Sequence, residues 1–318
     1  TGQTNLDWQD SRNYGSDDNT TMEMEDGGIY ITRSGDEDSY YNGRGGIPKN
    51  WNGGLHYSNK FNNNKQSFNS GYKITKVNSP SGERNYTTNF TGDSSYNSNS
   101  VTDGFSSKIK QSLNLTFETN IDSANSLKFT AKGNLNNTKS NSNYTQQSIS
   151  DKQIPINDIT RRTNSNTDNS SINSNLLWKH KFKKTARTLT VNVNYSIVGS
   201  NGETFLYSKN NYFKNGLPDN NDTTDQKNLK DNQTNTFTGN ITYTEPLSKT
   251  LFLSFTYLYS VATNQNDRLS FTKDINAKYT NKIDSLSNSY LFKQTTNRPG
   301  VSLRMVKKKY NFSIGSSL

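Results

Sequence analysis

Residues 105–135 read FSSKIKQSLNLTFETNIDSANSLKFTAKGNL, and their spacing decides the fold. On both sides of the polar break Asp122–Asn125 the apolar side chains fall on odd-numbered positions, while the even-numbered positions are polar. Successive side chains of a β-strand point to opposite faces. The stretch therefore predicts a hairpin with one apolar and one polar face, with Phe117 and Phe129 close to its turn.

The same pattern recurs along the chain at intervals of about sixty residues. Long stretches rich in Asn, Ser and Thr, such as 78–103, separate the hairpins and are interpreted as loops. Parallel strands would need a crossover of about a dozen residues at every connection, so short turns indicate antiparallel order. The sequence predicts about ten strands in an all-β, antiparallel, up-and-down transmembrane β-barrel. The other four short breaks are Asn62–Lys65, Lys183–Ala186, Glu245–Thr250 and Val306–Lys309.

The composition limits the structural class. Hydrophobic residues make up 28% of the 318 residues, against about 45–50% in ordinary globular chains. A conventional core is therefore not expected, which leaves a disordered chain or a barrel that turns its apolar side chains to lipid. Disordered segments are poor in aromatic residues, but 11% of this chain is aromatic, so we expect an ordered barrel.

A membrane barrel fits the pattern better than a soluble β-sandwich or a secreted adhesin-like β protein. The strands are about 10–15 residues long by pattern, whereas soluble strands average 5–6 and membrane strands need about 9–11. Aromatic side chains cluster at the turn end of every hairpin, as in an interfacial girdle. The side chains expected to face lipid or to form this girdle are Phe61, Phe68, Leu115, Phe117, Phe129, Trp178, Phe182, Val191, Val193, Tyr243, Leu253, Phe255, Tyr257, Leu303, Tyr310 and Phe312.

Two regions are predicted. Residues 1–49 form an acidic, Gly-containing extracellular loop region with one short strand at Gly28–Ile31, and residues 50–318 form five hairpins of the barrel wall. The carboxylates within 17–38 could bind Ca²⁺, but they lack the spacing of a calcium loop, so a solvated loop is the simpler interpretation. The hairpin pattern is interrupted at Ser313–Leu318, so we expect the ten strands to be part of a larger barrel.

Three segments carry a resemblance to a known family: WNGGLHYSNKF at 51–61, LLWKHKFKKTARTL at 176–189 and NITYTEPLSK at 240–249. They resemble the outer-membrane β-barrel family of Bacteroidetes-type bacteria, and are similar to the barrel portion of TonB-dependent receptors. The resemblance covers about residues 43–318. It implies a Gram-negative outer membrane, contact with its lipid including lipopolysaccharide, short turns in the periplasm and long loops outside. Full members of that family usually carry a plug, and none is visible in this sequence.

These features favour a transport-related barrel for nutrient uptake, in which a plug or another barrel segment would lie outside this chain. The alternative is a barrel that anchors a surface or secretion complex, with a surface lipoprotein or another partner bound at its loops. The net charge of +10 comes from basic residues near the short turns, so nucleic acid is not an expected partner. His56 and His180 lie within strands and are interpreted as structural. Neither an enzymatic activity nor a cofactor is expected.

Overall fold

A computed structural model describes residues 20–25, 28–33, 46–92, 94–307 and 310–317, with side chains described from residue 46 onwards. The chain forms two units, Thr1–Gly45 and Gly46–Leu318. None of the described residues forms a helix that is long and apolar enough to cross a bilayer.

The first unit contains one antiparallel hairpin, formed by β1 (Thr20–Glu25) and β2 (Gly28–Arg33). The strand predicted at Gly28–Ile31 lies within β2. Strand β1 was not predicted, because its two glutamates made the segment look like a loop, although they alternate with Met22 and Met24. Most of the carboxylates within 17–38 lie outside the described residues, so calcium binding stays a prediction.

The second unit is one antiparallel sheet whose strands lie side by side in chain order. Strands β11 and β12 both pair with β10, so they share one position in the wall, and a single 3₁₀ turn at Asp284–Leu286 separates them. The predicted all-β, antiparallel, up-and-down fold is confirmed. The strands are β3 (Lys49–Phe61), β4 (Gln66–Thr91), β5 (Ser94–Asn120), β6 (Asn125–Ser150), β7 (Pro155–Lys181), β8 (Thr188–Lys214), β9 (Leu217–Pro246), β10 (Leu251–Lys273), β11 (Tyr279–Lys282), β12 (Asn288–Val306) and β13 (Asn311–Ser317).

The short polar breaks are tight turns between consecutive strands. The first is made of Asn62, Asn63 and Asn64, all at positive φ, followed by Lys65. Asparagine tolerates the left-handed region better than other residues with a β-carbon, which explains the run of asparagines in this turn. The turns of the next three of these hairpins fall within one or two residues of the predicted breaks, at 121–124, 182–187 and 247–250, and the last connection lies between Val306 and Asn311.

The prediction of long loops is wrong, because the polar stretches continue the strands. Residues 78–103 belong almost entirely to β4 and β5, which are linked only at 92–93, and the next such connections are 151–154, 215–216 and 274–278. Strand β6 is 26 residues long, or roughly 85 Å at 3.3 Å per residue, although about 9–11 residues suffice to cross a membrane. More than half of the sheet therefore extends past the segment needed for crossing.

From β4 to β10, the residues of one row of direct pairs lie progressively farther from the short turns of their own hairpins. Phe68 lies three residues past the turn that ends at Lys65, whereas Tyr259, on the same row of pairs, lies nine residues past the turn that ends at Thr250. This drift is about one residue per strand, which with strands about 4.8 Å apart corresponds to a tilt of roughly 35°. Transmembrane barrels have strands tilted by such an angle.

The six prolines lie where a strand has lost one neighbour or where it begins or ends, so their missing N–H groups interrupt no ladder in the middle of the sheet. Pro80 lies just past the last β3–β4 pair, and Pro299 just past the last β12–β13 pair, so each strand has lost one neighbour there. Edge positions and strand ends are where sheets tolerate proline. The other four lie at or near strand ends, namely Pro48, Pro155, Pro218 and Pro246.

The sheet has no hydrophobic core of its own. Among residues 46–92, 94–307 and 310–317, no hydrophobic side chain is buried, while Leu55 is 78% and Phe255 50% exposed. A soluble sandwich or barrel buries its apolar side chains between or within its sheets. The described sheet is single and leaves its apolar side chains uncovered, so the soluble alternatives are excluded.

The extension of the strands can be tested by amide hydrogen exchange. We expect residues 136–150 and 155–171, in the polar halves of β6 and β7, to be as protected as residues 127–135, because all belong to one ladder. Protein in detergent micelles would be measured by mass spectrometry, with the turn 151–154 as an internal control for fast exchange. Exchange of 136–150 as fast as that of the turn would contradict the extended sheet.

Candidate functional site

The two faces of the sheet differ in how exposed their side chains are, and this can be seen where both are polar. In β6, Asn141, Asn143 and Thr145 are exposed, whereas the alternating Ser142 and Tyr144 are only half-exposed. The same alternation runs along β7 between 162 and 170. Side chains on the inner side of a curved sheet crowd and cover one another, so the even-numbered residues of β6 lie on the concave face.

Register extends this assignment to every strand, since directly paired residues point to the same face. The convex face carries the apolar rows. One such row joins Phe68, Phe117 and Phe129, and the adjacent strands continue it through Leu176 and Val193. A sheet that is apolar outside and polar inside is the reverse of a soluble barrel and is typical of a membrane barrel.

The registers bring the predicted lipid-facing residues together on this convex face. Phe182 and Tyr310 lie in short turns at its edge and are not part of the ladder. Contact of these side chains with lipid stays a prediction. The predicted residues on the convex face are Phe61, Phe68, Leu115, Phe117, Phe129, Trp178, Val191, Val193, Tyr243, Leu253, Phe255, Tyr257, Leu303 and Phe312.

An aromatic cluster lies on the convex face next to the turn between β7 and β8. The His180 ring stacks 5.9 Å from the Trp178 ring and meets Phe182 edge-on at 4.5 Å, and Phe182 lies 6.1 Å from Tyr243. His180 Nδ1 is 2.8 Å from Oδ1 of Asn125. These contacts support the interpretation of His180 as a structural residue at the membrane border.

Glu245 lies beyond this cluster, at the turn end of β9, and ties the turn between β7 and β8 to β9. Arg187 donates two hydrogen bonds to its carboxylate, at 2.7 and 2.9 Å, and Lys184 and the Tyr243 hydroxyl also donate to it. These donors, Arg187 foremost, lower the pKa of the Glu245 carboxyl to about 2. A bidentate Arg–carboxylate pair is geometrically specific, so it fixes the turn against the end of β9.

The concave face is hydrophilic at the level of the apolar rows as well as beyond them. Asn175 donates to Asn194 at 2.6 Å and also to Asn192, and the hydroxyls of Thr238 and Ser260 are 2.9 Å apart. Such side-chain bonds between neighbouring strands hold a polar wall together without an apolar core. This surface can line a water-filled path, and its small polar side chains offer donors and acceptors along the whole strand.

Charge is divided unequally between the two faces. The convex face is balanced, with ten cations and eight anions among the paired residues of β3 to β13, whereas the concave face carries fourteen cations and only Glu83, Glu118 and Asp222 as anions. Glu118 is bound to Lys128 at 2.8 Å. The concave cations are Lys60, Lys73, Lys108, Lys110, Lys128, Lys132, Arg161, Lys179, Lys181, Lys214, Lys230, Arg268, Arg298 and Arg304; the convex ones are Lys49, Lys76, Arg84, Lys139, Arg162, Lys209, Lys227, Lys273, Lys282 and Lys293, and the convex anions are Asp103, Asp158, Asp168, Glu203, Asp225, Asp231, Glu245 and Asp267.

The sequence prediction missed this segregation because it followed the basic residues along the chain and related them to the turns. The hairpin at 105–135 already shows this segregation, because its even-numbered positions, opposite the apolar face, include Lys108, Lys110, Lys128 and Lys132. Sorting charges by strand face would have revealed it.

Comparison with known families places this sheet in a membrane. Residues 180–316, from the end of β7 into β13, match the outer membrane protein beta-barrel family. No curated protein matches the chain in sequence. The matched segment includes the aromatic cluster, the Glu245 contacts and the apolar rows of β8, β9 and β10. The sheet is the wall of an outer-membrane β-barrel, and the protein is located in the outer membrane.

Arginine substitutions test which face meets lipid. Leu115→Arg and Val193→Arg should each destabilise the folded barrel by about 2–4 kcal/mol, the cost of arginine near the bilayer midplane. The matched control Thr116→Arg puts the same side chain one residue away on the concave face, opposite the uncharged Asn69 and Thr130, where we expect a change of about 0.5 kcal/mol or less. The free energy of unfolding would be measured by urea titration in lipid vesicles. Equal destabilisation by Leu115→Arg and Thr116→Arg would overturn the assignment of faces.

The Glu245 contacts predict a pH dependence. Because the pKa of Glu245 in the folded protein is about 2, below the usual value of about 4.3 for an unfolded chain, its stabilising contribution is complete above about pH 5. The contribution is lost as the pH falls towards 2. Glu245→Gln should therefore lower the unfolding free energy at pH 7, and the difference from wild type should shrink between pH 5 and 2. A difference that does not change with pH over that range would refute the role of the carboxylate charge.

Proposed function

We propose that the protein forms the wall of a transport barrel, similar to TonB-dependent receptors of Bacteroidetes-type bacteria, through which a nutrient crosses the outer membrane. The hydrophilic concave face carries this proposal. A barrel that served only as an anchor needs no hydrated path and could close its interior with packed side chains, as small barrels do. Here most concave side chains are Asn, Ser, Thr, Lys and Arg, at the level of the membrane and beyond it, with Leu177, Phe252 and Leu258 among the few large apolar ones.

A closed wall needs a partner for each edge of the sheet. Among the described residues, β3 pairs only with β4, and β13 only with β12. In lipid, each unpaired backbone group costs several kcal/mol, so a spanning sheet must close. Closure would come from pairing of β3 with β13 or from another barrel segment that inserts between them. The same partner could carry a plug.

The strand extension gives the barrel a second part, on the side away from the short turns. In outer-membrane barrels the short turns lie in the periplasm, so the extension would project from the cell surface. Outer-leaflet lipid, including lipopolysaccharide, would surround its base. The tips at 151–154, 215–216 and 274–278 would be the first part of the wall to meet a solute or a surface lipoprotein.

Permeation through reconstituted protein tests transport. The full chain would be inserted into liposomes, and the entry of arabinose, a small neutral sugar, would be followed by osmotic swelling. We expect swelling faster than that of protein-free liposomes, because a polar concave face leaves a hydrated path. A lack of permeation in liposomes that contain the folded protein would contradict the proposal and would leave the anchoring role as the better account.

A further inference from the structure

The concave face has an excess of eleven cations, although the convex face of the same strands is almost neutral. Lipid keeps charge off the convex face at the level of the apolar rows, but it does not decide the sign of the charges that the concave face carries. Lipid phosphates do not account for that sign either, because a cation that binds them would lie on the convex face. The positive sign therefore bears on whatever occupies the inside of the barrel.

The clearest example is a pair of like charges on neighbouring strands. Arg268 of β10 is paired directly with Lys230 of β9, and both side chains are exposed on the concave face. Like charges directly opposite each other destabilise a sheet. On the convex face of the same region, Lys273 binds Asp225 at 2.7 Å and Lys227 binds Glu203. These two convex cations thus have carboxylate partners, while Lys230 and Arg268 lie directly opposite each other.

A second group of cations lies on the other side of the sheet, in β4, β5 and β6. Lys73 and Lys110 are diagonal neighbours on adjacent strands. Lys73 pairs with Ser112, and Lys110, two residues before Ser112, pairs with Thr75. Lys132 follows on β6, opposite Asn114. The two groups are separated by β7 and β8, so positive charge is found on both flanks of the concave wall.

Building on the transport function proposed above, we infer that the solutes admitted by this barrel are anions that carry carboxylate or phosphate groups. Lys132, Lys230 and Arg268 lie on their path. Arginine binds carboxylate and phosphate in a planar, two-pronged geometry, and lysine adds a mobile point charge. A cleft lined by one sign of charge raises the local concentration of the opposite ion. Rings of Arg and Lys are the usual device of anion-selective pores.

The distance over which the concave cations act suits the selection of anions inside the barrel. At physiological ionic strength the Debye length is about 8 Å, so each cation acts on solutes that pass close to the wall and hardly on those in bulk solution. Convex charges lie on the far side of the sheet from the lumen. A substitution on one face should therefore change selectivity, while the same substitution on the other face should not.

The experiment compares ion selectivity in planar bilayers that contain the full chain. The reversal potential in a KCl gradient gives the ratio of chloride to potassium permeability, which we expect to exceed one, on the order of ten at low salt, and to fall as salt is raised. Lys132→Glu should lower the ratio. The matched control Lys139→Glu makes the same charge change on the same strand, but on the convex face, and should leave the ratio unchanged.

A second variant separates selectivity from folding. Arg268→Gln removes the like-charge pair, so it should raise the melting temperature of the empty barrel while it lowers the preference for anions. Gluconate and arabinose, similar in size but different in charge, serve as solute probes in liposomes. Gluconate should enter faster through the wild-type protein, and this advantage should shrink in Arg268→Gln.

The outcomes distinguish this inference from the transport function on which it rests. If arabinose and ions pass but chloride and gluconate are not preferred, or if Lys132→Glu and Lys139→Glu have equal effects, the anion inference is wrong and transport stands. If neither ions nor arabinose pass through the inserted protein, both proposals are wrong. A preference for anions that only the concave substitutions reduce supports the inference.

Discussion

The alternation of side chains across the pleat of a strand is the constraint on which this structure depends. Because the period is two, one register assigns every residue of ten wall positions to one of two faces. The convex face receives the apolar rows, and the concave face receives the amides, hydroxyls and most of the positive charge. A slip of one residue between two strands would put Leu or Phe in water and Lys or Asn in lipid, so register is specified strongly at the level of the membrane.

The backbone ladder explains how the same sheet can extend well beyond the membrane. Past the apolar rows both faces meet water, and register is no longer set by the side chains, so the long hairpins depend on continuous backbone pairing and on bonds such as Asn137 to Asp168 at 2.7 Å. Tight turns at the tips keep each pair aligned. Asn215 and Gly216 are both at positive φ, the conformation that a two-residue hairpin turn requires.

The apolar half of each hairpin could be predicted from sequence, and the polar half could not. Short turns and apolar rows follow from local periodicity, which Phe105 to Leu135 shows clearly. Beyond the membrane the periodicity disappears because no face is apolar, and a composition rich in Asn, Ser and Thr is typical of loops. Asn215-Gly216 and Gly92-Asp93 were local signals of hairpin tips within those stretches. The Glu245 contacts and the like-charge pair of Lys230 and Arg268 depend on register between strands, so no single segment contains them.

The most direct test of which face meets lipid is a cysteine scan of residues 127–136 in β6. Each introduced cysteine would be the single labelling site, because the sequence has no native cysteine. Each single cysteine would carry a nitroxide, and its collisions with oxygen, which partitions into lipid, and with a water-soluble nickel chelate would be measured in bilayers. We expect odd-numbered positions to meet mainly oxygen and even-numbered positions to meet mainly the chelate. Equal exposure at all ten positions, or the opposite alternation, would show that the convex face is not the one in contact with lipid.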